Sequence, residues 1–133
     1  MARTNVLRLA MSVGIAAGLA SAHHSGALYD LSKNLTVKGT VKTFVWANPH
    51  VVLLLTPDDK GEDWRLEFTG PGRLTRSGFS KRTFQRGDKV TVEYSPMRDT
   101  PRVGWVKKVV MPDGKVLDFF GAQTQGEERP NID

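Results

Sequence analysis

The chain has 133 residues, no cysteine and a formal net charge of +5. It can form no disulfide and offers no thiolate to a metal, so its stability must come from an apolar core, which a chain of this length can build. Arg3 and Arg8 both lie in the first eight residues; from residue 23 onward 17 basic residues face 14 acidic ones, and a balance of +3 does not point to nucleic acid.

The first 22 residues read as a cleaved signal peptide. "MARTNVLR" carries two arginines and no acid, "LAMSVGIAAGLA" is uncharged and mostly apolar, and Ala20-Ser21-Ala22 puts small residues where a signal peptidase cuts. The apolar stretch is shorter than the roughly 20 residues a membrane span needs. The expected product is exported to the periplasm, has no stable membrane insertion after cleavage, and begins at His23. Residues 23–34, "HHSGALYDLSKN", form a polar lead-in able to lie across the domain that follows.

Residues 35–120 read as one all-β domain. "LTVKGTVKTFVW" alternates with period two, which marks a half-buried strand. Pro49 interrupts it, lacking a donor and restricting Asn48. "HVVLLLT", from His50, is a continuous apolar run and predicts a strand covered on both faces. After the turn "PDDKGED", "WRLEFT" alternates again, with Trp64, Leu66 and Phe68 inward and Arg65, Glu67 and Thr69 outward. "GPGRLTRSG" predicts a helix of one or two turns, opened by Pro71 and stopped by Gly78. "GDKVTVEYS" and "RVGWVKKVVM" give two more strands, and "PDG" turns the chain into a short last strand at Lys115–Phe119. Residues 121–133 have little to bury and predict a flexible tail.

Three strands, a short helix and two strands is the order of the five-stranded Greek-key barrel called the OB-fold, here with a small extra C-terminal strand. Val41, Leu53, Leu66, Val92 and Val109 are expected inside it. A β-sandwich or another small barrel shares the same element count.

The segments "AHHSGALYD", "GTVKTFVWANPH", "WRLEF", "GDKVTVEYSPMRD" and "MPDGKVL" resemble, in order, a family of small exported bacterial proteins of unknown function. The resemblance implies an exported β-rich domain and puts the "AHHS" and "NPH" motifs in one pattern. It implies no activity.

These two motifs hold all three histidines. A mature N-terminal His23 offers its α-amine and its Nδ1 to one metal, and His24 adds a second imidazole. Such nitrogen donors suit tetragonal Cu(II). The arrangement locally resembles the N-terminal histidine chelate of copper oxygenases and some periplasmic copper carriers. His50, outward-facing like Glu67, falls opposite or diagonal to it across the hairpin, so Glu67 is either a ligand or the acceptor that orients the His50 ring. Trp46 and Asn48 flank the turn as candidate walls. The expected metal set is His23, His24, His50 and Glu67, the cofactor copper, and the role a carrier or accessory protein meeting a copper-handling or other envelope protein.

The bland alternatives are a solvated histidine pair, a His50 that caps its turn, and a Glu67 paired with Arg65. The rival function is a binding module that docks an envelope partner or glycan on the barrel without metal. "GPGRL" lacks the lysine and spacing of a phosphate loop, and no cysteine nucleophile or serine triad pattern is present, so the reading leans away from an enzyme. Met97 and Met111 are soft but distant candidate ligands. Arg73, Arg76, Lys81, Arg82 and Arg86 cluster around the short helix, as a solvated face or as a surface for an anionic partner. Intact-mass analysis of protein from its native envelope should show a chain starting at His23; a mass that retains Met1, or a start beyond His24, would contradict the chelate.

Overall fold

The computed structural model describes residues 25–120. The expected signal peptide, His23, His24 and the expected tail lie outside the described residues. The elements are α1 (Ser25–Leu28), β1 (Leu35–Val45), β2 (Val52–Pro57), β3 (Trp64–Glu67), α2 (Pro71–Arg76), β4 (Lys89–Pro96), β5 (Val103–Val110) and β6 (Val116–Asp118). The pairs β1–β2, β2–β3, β1–β4 and β4–β5 are antiparallel. A parallel pairing of β3 with β5 closes the ring. The result is a closed five-stranded mixed barrel of OB-fold topology, with β6 bonded to β5 outside the ring.

The eleven-residue β1 serves two neighbours in turn. Its first half pairs with β4 and its second half with β2. A bulge between Val41 and Thr43 bends the strand where it passes from one to the other. The opened backbone is not left unpaired: Val41 donates to the Asp88 carbonyl and accepts from the Gly87 N–H. Gly39 permits the same bend, since a Cβ there would sit 2.3 Å from the Thr56 carbonyl oxygen. Gly104 permits the closure, because a Cβ there would meet the Tyr94 ring at 2.2 Å.

Val41, Leu53, Leu66, Val92 and Val109 are all buried in the interior, as their alternation predicts. Phe68 joins them; Trp64 is only half-buried and packs on Tyr94 with ring centroids 5.2 Å apart. One end of the barrel is closed by Leu74 of α2 and by a set of phenylalanines, with Phe68 4.7 Å and Phe79 4.2 Å from Phe119. Pro71 starts α2 as expected. Gly78 stops it with φ of 86°, while the Gly78 and Phe79 N–H groups return to the Thr75 and Leu74 carbonyls in a Schellman arrangement.

The lead-in is fastened across the barrel. Tyr29 bridges Met97, Asp30 N–H donates to the Pro96 carbonyl, and Ser95 Oγ donates to the Lys33 carbonyl at 3.0 Å. The buried Lys107 ammonium, on β5, donates to the Leu31 carbonyl at 3.1 Å and to Asn34 Oδ1. An ammonium can be buried at this site because lead-in oxygens replace its water.

Candidate functional site

Glu67 is the centre of the site, and its environment corrects the sequence reading. Alternation puts it on the outer face, where it does lie, but it is only 8% exposed. The lead-in is the reason. Tyr29, itself buried, covers that face and hydrogen-bonds to the carboxylate. Arg65 Nε donates to Oε1 at 2.7 Å, and His50 Nδ1 lies 3.2 Å from Oε2.

The regular ladder of β2 begins at Val52, which pairs with Glu67. His50 and Val51 precede it, and Val51 still exchanges backbone bonds with Phe68 and Thr69. That register sets His50 diagonal to Glu67. A carboxylate in its ionised form only accepts, so the contact puts the proton on Nδ1; in the neutral ring Nε2 then keeps its lone pair. Nε2 has no hydrogen-bond partner among the described residues. The ring is steadied on one side by Trp105, edge-on at 5.4 Å. Trp105 in turn packs on Tyr29 at 5.4 Å.

Burial alone would push the Glu67 carboxyl up. The hydrogen bonds from Arg65 and Tyr29, the Arg65 charge and the His50 bond outweigh it and hold the carboxyl below its ordinary value. The Tyr29 hydroxyl moves up, first through burial and then through the hydrogen bond to and charge of Glu67.

Beside His50, at the "NPH" turn, is an open groove of about 310 Å³ lined by Val45, Asn48, Val52, Leu54 and Arg65 among others. The Asn48–Pro49 peptide in its rim is cis. Asn48 thus borders the site, whereas Trp46 packs against the core, edge-on to Phe44 at 5.8 Å. Met97 lies in the bridge to Tyr29 and Met111 packs on the core. Among the described residues no three histidines, aspartates or glutamates are grouped to hold a metal, so His50 and Glu67 stand as a pair. No helix among them is long and apolar enough to cross a membrane.

Tyr29 and Trp105 were not singled out by sequence reasoning. Tyr29 is the one aromatic in a polar lead-in, which was the available signal. Trp105 reaches the site only through the parallel β3–β5 closure, which pairs it with Glu67.

A family model described as a family of unknown function (DUF6152) matches residues 11–116. No curated protein matches the chain.

The lowered Glu67 carboxyl stabilises the fold fully above its unfolded value of 4.5, and this contribution is lost as pH falls through the lower folded value. Glu67→Gln should therefore flatten the acid limb of stability against pH in urea titrations. Asp30 and Asp63, also held low, leave a residual slope. At neutral pH the same substitution should cost about 1–3 kcal/mol, because Arg65 and His50 lose an ionised acceptor. An unchanged acid limb would show that the Glu67 network is not formed.

Proposed function

This chain belongs to that family of unknown function, and on that premise we propose that it is an exported copper carrier or accessory protein. Its metal is held by the α-amine and imidazole of a mature N-terminal His23, by His24, and by Nε2 of His50. The observation that carries this reading is the pairing of His50 with the buried Glu67 beneath Tyr29. A carboxylate behind the far nitrogen of a ligating histidine fixes the tautomer, aims the ring and raises its basicity. Both Glu67 oxygens already accept a hydrogen bond, which supports Glu67 as the group that orients His50.

Chain connectivity supports the same reading. Tyr29, which contacts that carboxylate, is five residues after His24. Five residues span at most about 18 Å even when extended, and the helical residues Ser25–Leu28 span less, so the chain length is compatible with the histidine pair closing on His50. One imidazole is all that the described residues supply, and it fits the donor set as a completing ligand. Nitrogen donors of this kind favour Cu(II) by the stability order of divalent ions.

A second reading rests on the groove. Its apolar lining, with Asn48, His50 and Arg65 at its edge, suits a module that docks an envelope partner or glycan without metal.

Cu(II) titration of protein that starts at His23 separates the two. His50→Ala should weaken binding at least tenfold, about 1.4 kcal/mol, and remove one nitrogen from the spin-resonance spectrum. A version with Met before His23 should lose the chelate. Affinity should fall as the solution is acidified, because the amine and imidazoles must be neutral to bind. Unchanged affinity and spectrum in His50→Ala would contradict the assignment and leave the groove reading.

A further inference from the structure

The excess positive charge of this protein is concentrated in one part of it. Residues 68–87, the segment that leaves β3, forms α2 and returns to β4, contain five basic residues and no acid. The balance from residue 23 onward is +3, so the residues there outside this segment together carry −2. The first acid after the segment, Asp88, accepts from the Gln85 backbone N–H and is followed by Lys89.

The backbone displays these cations on fixed turns. Thr83 N–H donates to the Ser80 carbonyl and Ser80 N–H to Thr83 Oγ1, which leaves Lys81 and Arg82 at the tip. Asp88 N–H donates to the Gln85 carbonyl, which puts Arg86 at the next tip beside Gly87. Arg76, Lys81, Arg82 and Arg86 are exposed and join no ion pair among the described residues.

We propose that this cationic cap docks the protein, reversibly and peripherally, on an anionic phospholipid surface. The chemistry of the cap selects that partner. Its exposed residues are all glycine, hydroxyl, amide or basic, so it lacks the apolar or aromatic centre on which a protein interface is built. Its phenylalanines are not offered among the cations: Phe84 is buried, and the half-buried Phe79 is stacked on Phe119 and faces a cleft shared with Met111 and Leu117, so nucleic-acid bases have no free ring beside the basic tips to stack on. Cations spread over separate turns match no single small anion. A layer of laterally mobile headgroups adapts to them, each basic residue adding to the attraction. The inference is independent of the copper reading.

The test is cosedimentation of protein, as purified from the cells that make it, with vesicles of phosphatidylglycerol and phosphatidylcholine or of phosphatidylcholine alone. Binding should need phosphatidylglycerol and fade at high salt. The triple variant Lys81→Glu, Arg82→Glu, Arg86→Glu should bind at least tenfold more weakly. Lys38→Glu, Lys60→Glu, Lys108→Glu makes the same change in net charge at exposed positions elsewhere and should bind nearly as the parent does. Melting curves check that both variants are folded. Equal loss in both triples would reduce the effect to net charge and overturn the cap as a site. Equal binding to both vesicle types, or binding to polyglutamate with none to vesicles, would also overturn the proposal.

Discussion

A buried carboxylate must find donors or give up its charge, and Glu67 finds three. Arg65 reaches it along its own strand, His50 from the turn before β2, and Tyr29 from the lead-in. Desolvation would otherwise favour the neutral acid. Three parts of the chain, far apart in sequence, are therefore held in one arrangement by a single side chain. The lead-in has its own anchor in Lys107, whose ammonium is solvated by lead-in oxygens. It acts beside the Tyr29–Met97 bridge and the Asp30–Pro96 and Ser95–Lys33 bonds, which hold the same segment over the face on which Glu67 sits.

The barrel supplies the rigidity this arrangement needs. Closure through β3 and β5 pairs Glu67 with Trp105, and the indole then lies between the Tyr29 and His50 rings. A site on paired strands is held more tightly than one carried by a loop. His50 gains from both: it belongs to a turn, which allows access, yet its ring is fixed by a strand carboxylate and a strand indole. Arg76, Lys81, Arg82 and Arg86 lie apart from this network, on α2 and the turns after it, and join no ion pair among the described residues.

Much of the fold was legible because period-two alternation reports burial directly. The alternations over β1 and β3 placed Val41 and Leu66 inside, and Pro71 and Gly78 bounded α2. The diagonal relation of His50 to Glu67 followed from the hairpin. What escaped was the covering of the outer face. Alternation says which side of a sheet a residue takes, not whether another segment lies on that side, so Glu67 was expected exposed and is buried. The β1 bulge was equally hidden, since one extra residue leaves no compositional mark. Trp105 was invisible as a neighbour of Glu67 because parallel closure joins strands with no turn between them. Of the four residues expected as a metal set, the described residues hold His50 and Glu67, while His23 and His24 lie outside them.

The central claim is that Glu67 holds His50 with the proton on Nδ1 and the lone pair on Nε2. Long-range nitrogen–proton correlation spectra of protein labelled at histidine report this tautomer directly. The account predicts that the neutral His50 ring is the Nδ1–H tautomer, converted in Glu67→Gln to a mixture, with the Nε2 resonance the first of that ring to broaden on adding Cu(II). A His50 ring carrying its proton on Nε2, indifferent to Glu67→Gln and to copper, would contradict it.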